Sequence, residues 1–242
     1  MKLSIVVAVL ESYKIAERQI LHMRHILSGL DAEFILVDDG SDPSIYNALS
    51  LCESMFNQEK IELEKTVARI ICLPFKFTIV ETNDAREWSQ PAARNTGASF
   101  ARGEYILFTD IDHILTRECI EESIGFTGDK MHFERRRAIL TENLDINRNH
   151  ADMMEYAYPN ELERIDSHFN TFVIKKDLFV DLNGYDEKFC GKYGGDDTDF
   201  SDRYSDLVKN RKALPSVKAK NTIYVFPDPR SDRKRLFHGL RR

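Results

Sequence analysis

Cysteine is scarce and scattered: Cys52, Cys72, Cys119 and Cys190 are the only ones in 242 residues. No two form a C-x-x-C pair, which excludes a zinc ribbon and a thioredoxin-type redox motif. Scattered thiols in a chain that needs no disulfides fit a reducing compartment, so a cytoplasmic location is expected. Glycine (11) and proline (7) are too few for collagen-like or linker-like sequence. No apolar run is long enough to span a membrane. The stretch Ser4–Leu10 is followed at once by Glu11, without a small-residue cleavage pattern, and reads as a buried strand rather than a signal segment. Positive charge is not in excess: 34 Lys and Arg face 40 Asp and Glu, a net charge of −6. That balance argues weakly against broad nucleic-acid binding. Repeats and low-complexity tracts are absent from the sequence.

What is present is the composition of a soluble globular protein, 42% hydrophobic and 31% charged. One domain is expected over 1–242. Ser4–Val9 is a β-branched run suited to a strand buried on both faces. Ile15–Leu30 carries apolar residues at helical spacing. Phe34–Val37 is a second strand, ended by the turn Asp38-Asp39-Gly40-Ser41-Asp42-Pro43. A helix is expected over Ile45–Phe56, and Ile61–Phe77 is ambiguous. Phe77–Val80 and Tyr105–Thr109 are further strands, separated by a small-residue helix over Ala92–Ala101 with Pro91 at its start. Beyond Asp112 the pattern is less regular. Strands are expected in Phe133–Asp145, Phe169–Ile174 and Thr222–Phe226, helices over Lys176–Leu182 and Thr198–Lys209, and a surface excursion over His150–Ile165.

Strands alternating with helices imply an α/β fold with an open, mostly parallel sheet. Ligands of such sheets bind beyond the carboxyl ends of the strands. Glu11, Asp38, Asp39, Asp110 and Asp112 should therefore converge on one edge. Asp110 and Asp112, two apart at a strand end, are oxygen ligands of the kind that hold Mg²⁺ or Mn²⁺. By themselves such pairs occur often by chance and more commonly mark a solvated turn that caps the next helix. Asp38 and Asp39 likewise fit a plain Asx turn, and Asp196 and Asp197 a helix cap.

Four segments occur in order: Val37-Asp38-Asp39-Gly40-Ser41, Ala93-Arg94-Asn95-Thr96-Gly97, Gly103 to Asp112 ending in Asp110-Ile111-Asp112, and Gly184-Tyr185-Asp186-Glu187 followed by Gly194-Gly195-Asp196-Asp197. Together they resemble the GT-A fold nucleotide-sugar glycosyltransferases, above all the inverting family two, with a galactosyltransferase-like C-terminal segment. The resemblance covers roughly residues 3–205. It implies a GT-A sheet flanked by helices, with a smaller mixed sheet on the acceptor side. The halves would be 1–112 for the nucleotide sugar and 113–225 for the acceptor, with a basic tail over 226–242.

The resemblance also implies roles. Asp110 and Asp112 would hold Mn²⁺ or Mg²⁺ against the diphosphate of a nucleotide sugar, a UDP-sugar above all. Glu11, Asp39 and Arg94 would line the donor, Asp39 accepting from base or ribose and Arg94 reaching a phosphate. Asp197 would be the base that deprotonates the acceptor hydroxyl, on a glycan or another alcohol, and Asp196 would hold that acceptor. The family often adds a late His as third metal ligand. Here Phe226-Pro227 stands at the expected place, which leaves His238 as the candidate downstream, while His113 and His168 read as ordinary polar contacts. Trp88 and Tyr185 offer rings for stacking on a sugar or packing in the core.

The tail holds Arg230, Arg233, Lys234, Arg235, Arg241 and Arg242. It suits a lid over the pyrophosphate, contact with an anionic surface (lipid or DNA, the former placing the protein at a membrane periphery), or plain solvation. Three alternatives stay open from sequence: a retaining GT-A transferase, a nucleotidyltransferase, and a catalytically silent binding module of the same fold. The second lacks the glycine-rich phosphate loop after the first strand.

Overall fold

A computed structural model of the chain describes residues 1–49, 58–63, 66–72, 75–82, 84, 86, 89–138, 162–165 and 169–225. The first strand, β1 (Leu3–Val9), is buried at all seven positions. β-Branched residues suit such a two-sided environment. Parallel to it lie β2 (Ala32–Asp38) on one side and β6 (Tyr105–Asp110) on the other. β5 (Lys76–Glu81) continues the parallel centre beside β2. An antiparallel hairpin, β3 (Gln58–Leu63) and β4 (Thr66–Cys72), extends this edge through β4. It occupies much of the stretch that is ambiguous from sequence.

On the far side of β6 the sheet becomes mixed. β10 (Phe172–Lys175) runs antiparallel to both β6 and β8 (Lys130–Ala138). β11 (Val217–Val225) is parallel to β8 and antiparallel to the short β7 (His113–Ile114). β9 (Leu162–Ile165) pairs with β8, so part of the expected surface excursion is a strand. All the described strands join one sheet, ordered β3-β4-β5-β2-β1-β6-β10-β8-β11-β7 with β9 beside β8.

The period of two along each strand divides the core into two layers. Leu3, Ile5 and Val7 of β1, Phe34 and Leu36 of β2, and Leu107 of β6 face one layer. There they meet Ile15, Met23 and Ile26 of α1 (Tyr13–Ile26) and Cys119 and Ile120 of α4 (Arg117–Gly125). Val6, Ile35, Val37, Ile106 and Phe108 face the other. That side is covered by α3 (Gln90–Phe100), α5 (Lys176–Asp181) and α6 (Asp196–Lys209). α2 (Ile45–Ala48) is a single turn, and residues 50–57 of the expected longer helix lie outside the described part.

α3 lies close on the sheet because of its small residues. A side chain at Gly97 would run into Val6 Cγ1 and come within 2.9 Å of Val37 Cγ2. Beneath the far end of the sheet, Phe108, Phe172, Phe179, Tyr185 and Phe200 form one aromatic cluster, with Tyr185 stacked on Phe200 at 4.8 Å between centroids. Tyr185 is 2% exposed, so its ring packs in the core and offers no face to a sugar. Trp88 lies outside the described residues.

Candidate functional site

The parallel strands end together. Val9 pairs with Asp38, Ala8 with Asp110, and Asp38 with Glu81. The register thus places Glu11, Asp38, Asp39, Asp110 and Asp112 along one edge, where ligands of open α/β sheets bind.

The neighbouring aspartates after β2 have different tasks. Asp38 accepts hydrogen bonds from the backbone of Ser41 at 3.0 Å and of Ile45 at 2.7 Å. It therefore closes the turn and takes up the first N–H of α2, whose cap residue is Ser44. Burial raises its pKa, against the opposing hydrogen bonds from Ser41 and Ile45. Asp39 ties its backbone to Val9, and its carboxylate accepts from Ser89 Oγ at 2.5 Å. Burial pushes its pKa up to about 7; the Ser89 bond pulls it down, while Asp84 and Asp38 push it further up. Glu11 is buried, sits at φ 52° and donates its N–H to Ser41 Oγ at 2.9 Å. A bulky residue in the left-handed region stores local strain, which here sharpens the exit from β1.

Asp110 ends β6, Asp112 follows it, and His113 begins β7. One ligand atom of each lies within 4.8 Å of the others. His113 Nδ1 is 2.6 Å from Thr171 Oγ1, and Nε2 is 3.5 Å from Arg135 Nη1. A guanidinium only donates, so Nε2 presents its lone pair and Nδ1–H donates to Thr171. The two carboxylates are hard oxygen donors that fit Mg²⁺ or Mn²⁺, and His113 borders them with both ring nitrogens engaged. From sequence His113 reads as an ordinary polar contact, and its bonds to Thr171 and Arg135 fit that, while its position also sets it beside the two acids. The available signal was its adjacency, Asp110-Ile111-Asp112-His113. His238 and His168 fall outside the described residues, as does the whole tail 226–242.

Arg94, on α3, is 1% exposed. Its Nη2 donates to Asp110 Oδ1 at 2.8 Å, and its Nη1 to Asn170 Oδ1 at 3.1 Å and Asp196 Oδ2 at 3.3 Å. Its guanidinium lies 5.1 Å from the centroid of the Tyr185 ring. The planar fork thus bridges the end of β6 to the start of α6, a task a lysine point charge does not perform.

α6 begins at Asp196, two residues earlier than the sequence suggests, so Asp196 and Asp197 occupy its first turn. The helix N-terminus favours negative charge there. Gly195 precedes them at φ 92°, where a side chain would also come within 2.9 Å of Phe189 Cε1. Asp196 is buried, and burial raises its pKa, with Arg94 opposing and Asp197 adding to the rise. Asp197 is half-buried; its Oδ1 accepts from the Thr198 backbone at 2.7 Å. One carboxylate is locked beneath the site and its neighbour is solvent-accessible.

No helix among the described residues is long and apolar enough to cross a membrane. The fold is similar to that of TarS 1-349 from S. aureus in complex with UDP-GlcNAc, with a TM-score of 0.60 and 15% identity over 94% of this chain and 59% of that one. The UDP complex of the same protein gives a TM-score of 0.60 and 13% identity over 95% and 61%. A mannosyltransferase, PcManGT from Pyrobaculum calidifontis, in complex with GDP-Man and Mn2+ gives 0.54 and 14% over 93% and 56%. The chain therefore spans about three fifths of the length of these chains. No curated protein matches it in sequence. Residues 4–175, more than half of the chain, match the family model for glycosyl transferase family 2. With the GT-A architecture already in place, that match assigns the chain to glycosyl transferase family 2.

Proposed function

We propose that the protein transfers a sugar from a nucleotide diphosphate sugar, a UDP-sugar, to an acceptor hydroxyl, with inversion at the anomeric carbon. The observation that carries this reading is the union of two groups in a family-two chain. Asp110, Asp112 and His113 cluster at the strand ends, and Arg94 ties Asp110 to the Asp196-Asp197 turn. The complexes of similar structures with UDP, UDP-GlcNAc, and GDP-Man with Mn2+ support the donor class and the cation.

Asp110 and Asp112, with His113 beside them, would hold a divalent cation. When bound, such a cation neutralises the diphosphate and makes it a better leaving group. Asp39 accepts from the nucleobase or ribose at the end of β2, with Glu11 next to it along the edge. Arg94, spent on Asp110, Asn170 and Asp196, fixes the distance between donor and acceptor sides. Asp197 takes the proton of the acceptor hydroxyl as that oxygen bonds to the anomeric carbon. The bond from that carbon to the diphosphate oxygen breaks on the opposite face, and the electron pair leaves with the nucleotide. Asp196 holds the acid pair in place through Arg94.

Asp197→Asn tests the assignment against a panel of nucleotide sugars and hydroxyl acceptors. Transfer should fall by about 10²–10⁴-fold, while UDP affinity stays within twofold of the unmodified chain. Full transfer activity in the variant overturns Asp197 as the base. Absence of UDP-sugar binding in the unmodified chain overturns the reading itself.

A further inference from the structure

α1 buries polar side chains as well as apolar ones, Arg18, Gln19 and His22 among them. Gln19 is fully buried. Its Nε2 donates to the carbonyl of Ile111 at 2.7 Å and to that of His113 at 2.6 Å. These carbonyls flank Asp112 on either side. The amide has only one sensible orientation, because the reverse would set Oε1 against two carbonyl oxygens. One turn along, His22 Nε2 lies 2.6 Å from the carbonyl of Leu115. A carbonyl only accepts, so that nitrogen carries the proton. Residues three apart share a helix face, and this face grips the 111–115 segment at three carbonyls.

The arrangement is costly for packing alone. Gln19 Oε1 is buried without a hydrogen-bond partner among the described residues, so the amide bears a cost at its oxygen while its nitrogen serves two backbone acceptors. The return is control of the backbone. The Ile111 carbonyl shares its rigid peptide plane with the Asp112 N–H, so holding it fixes the plane from which Asp112 departs. Holding the His113 carbonyl fixes the next segment. Together they hold the backbone on either side of Asp112, from which its carboxylate projects.

We propose that Gln19 is a positioning residue for the cation site, acting through the backbone on Asp112 without touching cation or substrate. The inference rests on the cation reading above and is separable from it. Gln19→Met keeps the length of the side chain and removes both donors. Gln19→Asn keeps the amide but is one methylene short. Mn²⁺ affinity of the full chain, measured by electron paramagnetic resonance with UDP present, should fall at least tenfold in Gln19→Met and by a smaller factor in Gln19→Asn. Thermal unfolding without cation confirms that each sample is folded; a variant that does not fold leaves the other to decide. Unchanged Mn²⁺ affinity in a folded variant whose melting temperature has dropped means a structural role alone, and overturns the positioning role while the cation site stands. No Mn²⁺ binding by the unmodified chain overturns both.

Discussion

Asp39 gives the site a pH signature. Its folded pKa of about 7 lies above the ordinary carboxylate value. The folded chain therefore holds this proton more tightly than the unfolded chain. The stability from this group is fully present below the ordinary carboxylate range and is lost as pH rises through about 7. Nucleotide binding should run the other way, because an acceptor for a base or ribose N–H or O–H works best ionised. UDP affinity is expected to rise about tenfold from pH 6 to pH 8, and Asp39→Asn should flatten that slope; a slope that persists in the variant assigns it to the nucleotide phosphate. Arg94 is the residue most exposed to damage. Arg94→Met leaves Asp110 and Asp196 without their shared partner, and breaking a buried pair costs about 3–5 kcal/mol, readable by urea denaturation. Arg94→Lys should recover only part of this, since one ammonium cannot span Asp110 and Asp196. The sequence showed Arg94 as a site residue but not its direction. Its partner Asp196 is 102 positions away, and no local pattern encodes a pairing at that distance.

At the scale of elements, the central strands were legible because both faces are apolar and leave no ambiguity of period. β11 was readable only in its last part: Val217–Lys220 includes two lysines and is exposed except at Ala219, so only Thr222 onward looked like a strand. The start of α6 was displaced because Asp196 and Asp197 resemble a cap, whereas the left-handed Gly195 takes that place. α3 yields a prediction of its own. Gly97→Ala must push against Val6 and Val37, which overpacks the layer by about 1–3 kcal/mol. The shift would also displace Arg94, one turn earlier on the same helix. Lower stability in denaturant together with weaker Mn²⁺ binding is expected; a stable variant with intact binding would show that α3 has slack against β1 and β2.

At the scale of the whole molecule, the fold places acids on one edge of a single sheet and leaves the mean charge of −6 uneven. The motifs within residues 1–112 were the easier to read, because they sit at strand ends and turns where few residue types fit. Residues 113–225 were harder to read, since the described strands there are mixed in direction and pair out of sequence order. The proposed link between the protein and a nucleotide diphosphate is a divalent cation at Asp110 and Asp112. Calorimetric titration of UDP into the full chain, with and without Mn²⁺ and with Asp112→Asn alongside, tests it most directly. UDP binding is expected to depend on Mn²⁺ and to weaken at least tenfold in Asp112→Asn. Equal affinity with and without the cation, undiminished in the variant, would contradict it.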